Sequence, residues 1–437
     1  MPGRQMTGRP KVLYVLHNHP VVRPGGAETY ALELYEFVRD HGELDPVLLA
    51  RTGPPMSSVE RYREGTLLTM VNDDPNQYFF YTEKDDFDWL NGTSRSKTLY
   101  TRFFREFLLA HRPDVVHFQH TLFFGYDVLR ETRNTLPDAS IVYTLHEFLP
   151  ICHRNGQMVR VGSDETCLES SPRRCHECFP HISPQSFFLR KRFISSHLAL
   201  VDQFLAPSRF LLERYVDWGL PRHKVRYEEY GRLRTSGLVP PSETGEQRPR
   251  NRFGFFGQLN HFKGVTVLLK AMAILAKERS DAHLWLHGAN LELQPEAFRN
   301  ELAELLEGAD NVTFVGRYDR GEQARLMANV DWVVVPSIWW ENSPLVIQEA
   351  FQCGRPVICS DIGGMAEKVV HGEDGLHFRA GDPESLARAI GEAARGRDVW
   401  EQLRAGIREV YSMEEHAAAL TELYRELLDR HAQGILV

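Results

Sequence analysis

Pro336–Ser360 (PSIWWENSPLVIQEAFQCGRPVICS) carries the densest chemistry in the chain. A strand over 331–335 delivers the chain to a loop, and Asn342-Ser343-Pro344 reads as a helix start, with Ser343 as N-cap and Pro344 at the first helical position. The unpaired backbone N–H groups at such a terminus form a ready seat for a phosphate. Glu341 stands just outside that terminus, and Glu349 lies about one and a half turns inside it. Two carboxylates beside a phosphate seat suit a hydroxyl-bearing ligand, because each accepts charge-assisted hydrogen bonds worth roughly 1.5–3 kcal/mol. The plainer alternative is a solvated Glu341 and a Glu349 paired with a neighbouring cation.

Two further loops have the same character. In Arg252–Gly264 (RFGFFGQLNHFKG) a strand ends near Gly257, and Lys263-Gly264 opens the next helix, which puts a cation where a diphosphate would need one. In Arg23–Glu28 (RPGGAE), Gly25 and Gly26 let backbone amides approach an anion at another helix start. This is not the GxGxxG fingerprint, which weighs against a dinucleotide cofactor. His17, His19, His117, Gln119, His120 and His146 sit at or near strand ends, as site residues or as satisfied polar groups.

Four of the six cysteines, Cys152, Cys167, Cys175 and Cys178, fall in one polar, loop-like stretch. Cys175-x-x-Cys178 has metal-ligand spacing, and a structural zinc would staple a segment with no core of its own. His153 or His176 could replace a thiolate, and an Fe–S cluster uses the same ligands. Two disulfides or four free thiols are the alternatives. Cys353 and Cys359 read as core residues.

The elements that must position these groups alternate. Short apolar strands at Val12–His17, Pro46–Leu49, Leu68–Val71, Asp114–Phe118, Ile141–Leu145, Gln203–Ala206 and Lys224–Glu228 are separated by helical patterns, and a Pro/Gly-rich linker follows at Ser236–Asn251. The alternation then restarts, with strands at Phe253–Phe256, His283–Leu286, Val312–Val315, Trp332–Val335 and Val357–Cys359, and a last helix at Met413–His431. The fold class is therefore α/β, with two doubly wound Rossmann-like domains facing a cleft at the carboxyl ends of their strands. The expected division is an N-terminal domain over 1–240 with a Cys-rich loop at 152–180, a second domain over 250–412, and a last helix over 413–437.

The length of 437 residues allows two or three domains, and 42% hydrophobic content with 25% charged residues is ordinary for a globular chain. The net charge of −8 argues against non-specific nucleic-acid binding. With no long apolar run and no secretory leader, the expectation is a cytoplasmic protein. Ser186–Leu200 (SFFLRKRFISSHLAL) mixes phenylalanines with cations as an interfacial helix would, which leaves peripheral docking at the inner membrane face as one reading and packing on the sheet as the other.

The order GGAE, FFGQLxxxKG, VxPSxxxENSPLVxxEA and VICSDIGGMAE, with the Glu341–Glu349 spacing, Gly363-Gly364, Glu367 and Gly372–Gly375, resembles glycosyltransferase family 4 over nearly the whole chain. That resemblance implies the GT-B fold, with the acceptor on the first domain, the donor on the second and the last helix crossing back to the first, and a retaining glycosyltransferase that uses a nucleotide diphosphate sugar and no catalytic metal. It implies that Glu349 holds the ribose and that Glu341 contacts the donor sugar. Lys263 and the backbone around Pro344, Leu345 and Val346 would hold the diphosphate, with Ser343 capping their helix. Gly25 and Gly26 would approach the phosphates from the other domain, and His146 would lie beside the reacting sugar carbon. Gln258 stands where the family usually has an arginine, so Arg252, Lys263 or another cation compensates, or the donor is seated differently. The acceptor falls among polysaccharides, glycolipids and small natural products. Rival readings are an epimerase or phosphorylase of the same fold, and a silent sugar-nucleotide-binding partner.

Overall fold

The computed structural model describes residues 8–22, 25–53, 68–71, 74–163, 165–234 and 249–434, so Arg23 and most of the linker expected at 236–251 lie outside the described residues. The chain divides into two units, Met1–Leu233 with Tyr411–Val437, and Arg234–Val410.

The first unit begins with β1 (Lys11–Leu16, KVLYVL), an apolar run buried almost throughout, as a central parallel strand must be. It continues through α1 (Gly26–His41), β2 (Asp45–Thr52), β3 (Leu68–Val71), β4 (Asp74–Tyr81) and a small hairpin, β5 (Phe87–Asp88) and β6 (Thr93–Ser94). A π-helical turn (Leu99–Phe104) leads into α2 (Arg105–His111), then β7 (Val115–Phe118), α3 (Asp127–Thr135) and β8 (Ser140–Thr144). The unit goes on with α4 (Pro172–Cys178), α5 (Pro184–Leu198), β9 (Gln203–Ala206), α6 (Arg209–Trp218) and β10 (Val225–Tyr227). The sheet order is β10-β9-β8-β7-β1-β2-β4-β3, parallel except for the antiparallel edge strand β3. The chain winds outward from β1 in one direction and then restarts at β7 in the other, so the topological switch point lies between β1 and β7. The sequence did not announce β4, whose DPNQYFFY opens on turn residues and is only intermittently buried.

The second unit contains β11 (Arg252–Gln258), α7 (Val265–Lys277), β12 (His283–Ala289), α8 (Glu296–Leu306), β13 (Val312–Gly316), α9 (Arg320–Ala328) and β14 (Trp332–Val335). It closes with α10 (Leu345–Gln352), β15 (Val357–Ser360), α11 (Gly363–Lys368), β16 (Gly375–Phe378), α12 (Pro383–Arg395) and α13 (Arg397–Gly406). Its sheet, ordered β13-β12-β11-β14-β15-β16, is parallel throughout, with the switch point between β11 and β14. One core lies under α7 and α12 (Leu268, Leu269, Met272, Leu386, Ile390), and the other under α10 and α11 (Ile347, Ala350, Met365). β16, α11 and α13 were not read from the sequence; β16 and α11 are too short to show a full hydrophobic period.

The last helix, α14 (Met413–Ala432), starts on a capping box in which the Ser412 hydroxyl and the Glu415 carboxylate satisfy each other's backbone amides. It belongs to the first unit, lies against α1 and β8, and buries Met413, Leu420, Leu423, Tyr424 and Leu427. No helix among the described residues is long and apolar enough to cross a membrane. On α5, Phe187, Arg190 and Ile194 are buried while Phe188, Leu189, Lys191 and Arg192 face outward.

Candidate active site

In the second unit the loops after β11 and β14 meet at the switch point. Asn260 accepts from the Lys263 amide at 3.0 Å, which closes a short helical turn and aims Lys263 along the loop. Gly264 follows in a left-handed conformation (φ 69°), and a Cβ there would lie 1.8 Å from the Pro336 carbonyl oxygen. The Ile338 amide donates to Phe262 O at 2.9 Å, so the two loops are laced together. Gly364 does the same from the other side. Its amide donates to Glu341 O at 2.8 Å, and a Cβ would meet Asn342 O at 1.6 Å.

This lacing fixes Glu341. Its Oε1 accepts from Lys263 Nζ (2.5 Å), Ser337 Oγ (2.8 Å) and Trp339 Nε1 (2.9 Å), and among the described residues no group bonds Oε2. Burial alone would raise the carboxyl's affinity for a proton, but Lys263, Trp339 and Ser337 outweigh it and hold the group below its ordinary range. Glu341 is therefore an ionised carboxylate with one oxygen tied down, and not the solvated loop residue of the plainer alternative.

The helix start differs from the sequence expectation by one residue. Pro344 is the N-cap and α10 begins at Leu345, because Ser343 does not bond a following amide. The Ser343 hydroxyl is instead buried with no partner among the described residues, a polar group left for a ligand to satisfy. Glu349, one turn into α10, accepts from Gln323 Nε2 at 2.6 Å and lies 3.8 Å from the Arg320 guanidinium. These partners on α9 orient it, and neither was found from the sequence, where they are distant and unpatterned.

Gln258 ends β11, paired in register with Ala289, and its side chain bonds no described residue. Arg252 does not compensate for it. It opens the same strand, roughly 20 Å away at ~3.3 Å per residue, and its guanidinium faces the Trp285 ring. A groove of about 460 Å³, unanticipated from the sequence, follows the carboxyl ends of β11–β13 and is lined by Leu259, Gly288, Asn290, Arg299, Phe314 and Arg317.

In the first unit the switch point gathers His17, Glu28, His120, His146 and Glu147. Gly25 is the N-cap of α1 and Gly26 its first residue. A Cβ on Gly25 would lie 2.4 Å from Glu28 Oε2, so the glycine admits a carboxylate folded back over the helix terminus. Glu28 pairs with His17 Nε2 at 3.1 Å, and that pairing with a backbone hydrogen bond outweighs its burial to hold its proton affinity down. The anion expected at this terminus is thus supplied in part by the chain itself. His17 and His120 rings lie 4.1 Å apart, and His120 Nε2 is 3.4 Å from Glu147 Oε1. Burial pushes the Glu147 carboxyl up to about 8. His19 is a satisfied polar group, bonded by Gln77 at 3.3 Å and by the Val21 amide.

Both ring nitrogens of His146 are engaged. Nε2 meets Gln119 Oε1 at 2.8 Å and Nδ1 meets the Tyr230 hydroxyl at 2.5 Å. Burial pushes this imidazole down to about 3, so it is neutral at physiological pH. His117 is turned inward onto Thr144 and Tyr424.

The zinc or Fe–S expectation finds no support among the described residues. Among the described residues no group of three or more His, Cys, Asp or Glu side chains is placed to hold a metal ion, and Cys152, Cys167, Cys175 and Cys178 are free thiols. Cys175 and Cys178 ride on α4, and Cys167 Sγ donates to Glu169 O. Burial raises the thiols of Cys152, Cys167 and Cys175, the last to about 11. The segment is held by arginines instead. Arg190 donates to Pro150 O (2.7 Å) and Leu149 O (2.6 Å), and Arg154 donates to the carbonyls of Val159 and Arg160.

Residues 24–227 match the family described as Glycosyltransferase Family 4, and residues 250–395 match Glycosyl transferases group 1. A D-inositol 3-phosphate glycosyltransferase of Jonesia denitrificans is 32% identical, over 90% of this chain and 89% of its own length. The glycogen synthase of Thermus thermophilus is 31% identical over 48% of this chain and 44% of its own. Among solved structures, Anabaena Alr3699/HepE in complex with UDP and glucose superposes with a TM-score of 0.64 at 18% identity, covering 96% of this chain and all of that one. Sucrose-phosphate synthase of Thermosynechococcus elongatus gives 0.67 at 19%, with the same coverage. With two parallel-sheet α/β units of the GT-B type and a relative this similar over its whole length, the chain belongs to the group 1, family 4 glycosyltransferases and is a transferase enzyme.

Proposed function

We propose that this enzyme is a retaining glycosyltransferase that moves a sugar from a nucleotide diphosphate donor, a UDP-sugar, to an acceptor hydroxyl. The observation that carries the reading is Glu341, a buried, ionised carboxylate with one oxygen fixed by three donors and the other open. The open oxygen suits a donor-sugar hydroxyl. Lys263, held against Glu341, is already in place for the diphosphate, and the Leu345 and Val346 amides with the unpartnered Ser343 hydroxyl complete the anion seat. Charge builds on the diphosphate as it leaves, so donors fixed in advance lower the barrier by about 1.4 kcal/mol for each tenfold of rate. Glu349, held by Gln323 and Arg320, takes the ribose hydroxyls, and the groove along β11–β13 takes the base.

UDP is chosen because the Anabaena neighbour holds UDP and glucose. Gln258 is neutral, so the positive charge at the diphosphate falls to Lys263. On the first unit, His146 is a neutral, fixed imidazole, the group that the family resemblance sets beside the reacting sugar. Gly25 and Gly26 with Glu28, His17, His120 and Glu147 form the acceptor side, where carboxyl and imidazole groups suit a polyhydroxylated acceptor.

A panel of nucleotide sugars, scored first by thermal shift and then by turnover, identifies the donor. Glu341→Ala and Glu349→Ala are then compared with the parent enzyme. Both are expected to lower turnover at least about tenfold, with Glu349→Ala also weakening UDP binding. Unchanged turnover in both variants would overturn the site.

A further inference from the structure

A chain of buried polar side chains runs from α14 to His146, and the sugar-transfer reading does not by itself require it. Tyr424, on the buried face of α14, places its hydroxyl 2.6 Å from His117 Nδ1. His117 Nε2 lies 3.3 Å from the amide nitrogen of Gln119, and the carbonyl oxygen of the same amide lies 2.8 Å from His146 Nε2. His117, Tyr424 and Gln119 are at most 1% exposed.

The directions of these bonds follow from the orientation of the Gln119 amide. An amide oxygen only accepts and an amide nitrogen only donates, so His146 Nε2 carries the proton and His117 Nε2 is an acceptor. Thr144 Oγ1, 2.7 Å away, donates to that same His117 nitrogen. His117 then keeps its proton on Nδ1 and donates it to Tyr424. At the other end, His146 Nδ1 is left to accept from the Tyr230 hydroxyl, whose ring stacks on the imidazole at 5.4 Å and 21°.

α14 reaches the same imidazole by a second route. His416 bonds the Tyr30 hydroxyl at 2.7 Å and Glu228 at 2.9 Å, and the Tyr30 ring packs on Tyr230 at 4.4 Å. Buried polar groups leave little room for partial solutions, because each unmade bond exposes a desolvated donor or acceptor. The amide in the middle of the chain therefore sets the bonds on both sides of it, and the tyrosine hydroxyls at the ends complete them.

We propose that α14 is part of the transfer site: Tyr424, acting through His117 and Gln119, holds His146 as its Nε2–H tautomer, and Tyr230 locks the opposite nitrogen. Gln119, Tyr230 and Tyr424 are positioning residues for sugar transfer, and their arrangement makes His146 a fixed dipole and not a proton shuttle. This rests on the reading that His146 stands beside the reacting sugar.

The test uses the full-length enzyme and four variants, Tyr424→Phe, Gln119→Leu, Gln119→Glu and His146→Ala. For each, kcat and donor KM are measured, the thermal transition is recorded, and ring ¹⁵N shifts assign the tautomer of His146. Tyr424→Phe and Gln119→Leu are expected to melt cooperatively and to keep donor KM within about twofold while kcat falls about tenfold. The Nε2–H signature of His146 is lost or mixed with the other tautomer. Gln119→Glu, which keeps the acceptor toward His146, recovers part of the lost kcat. A Tyr424→Phe or Gln119→Leu enzyme with parental kcat, beside an impaired His146→Ala, would reduce the relay to packing and overturn the proposal. Parental turnover in His146→Ala would instead remove the underlying reading of that histidine, and the relay's role in transfer with it. If Tyr424→Phe does not fold, Gln119→Leu decides the same question from the middle of the chain.

Discussion

At the scale of single residues, Gly264 shows how little space the site allows. Its φ is positive and the Pro336 oxygen occupies the place of a Cβ. Gly264→Ala is expected to cost about 2–4 kcal/mol in a urea melt and to weaken nucleotide-diphosphate binding, because it separates the loop bearing Lys263 from the loop bearing Glu341. Glu147 gives a pH signature. Its folded-state affinity for a proton is raised to about 8 from an ordinary 4.5, mainly by burial. The folded protein thus binds more protons than the unfolded chain between these values, and this group's contribution to stability is fully present below about 4.5 and lost as pH rises through about 8. Across that window the melting temperature of the parent should fall relative to Glu147→Gln, and parallel profiles would refute the assignment. Glu341 and Lys263 were legible in the sequence as candidates because a loop after a strand and a glycine before a helix mark a switch point, and the structure pairs the two. Glu147 was not, because only burial distinguishes it from any surface glutamate.

Among the elements, the stretch from His146 to α5 carried the most conspicuous pattern, and its visible stitching is of another kind. The cysteine spacing suggested a metal, but the stitching is done by Arg190, whose buried guanidinium donates to two carbonyls of the loop that follows His146. Arg190→Leu leaves those carbonyls without their donor, and a loss of about 2–4 kcal/mol in a denaturant melt is expected, with reduced turnover. Treatment with a strong chelator should leave the thermal transition unchanged, and a chelator-induced drop would restore the metal. The arginine's role could not be seen in the sequence, since Arg190 sits in a run of cations of which only it turns inward.

On the scale of the whole molecule, the two units differ in how the chain closes them. The second is continuous, and its cores are complete within Arg234–Val410. The first is not, since α14 returns from beyond the second unit to fill its core. A fragment spanning 249–410 is expected to melt cooperatively and to gain about 5–10 °C with UDP at a hundredfold over its Kd, read by calorimetry. A fragment ending at Leu233 should show no cooperative transition, because the apolar surface that α14 covers would be open to water. Recovery of a cooperative melt from that fragment would show that α14 is dispensable to the core.

What the sequence by itself determined was local. Apolar runs between helical periods specified two parallel sheets, and glycines, a cation and two glutamates at strand ends marked the loops proposed to hold a sugar nucleotide. Those signals survive in one dimension because β-strand burial and helix starts depend on neighbours a few residues away. Only the tertiary structure decided which oxygen of Glu341 is open and that Arg252 stands at the wrong end of its strand. The same holds for the free cysteines and for the engagement of both His146 nitrogens. These outcomes depend on burial and on partners as far apart as His117 and Tyr424, whose proximity is set by how the chain packs and leaves no trace in spacing.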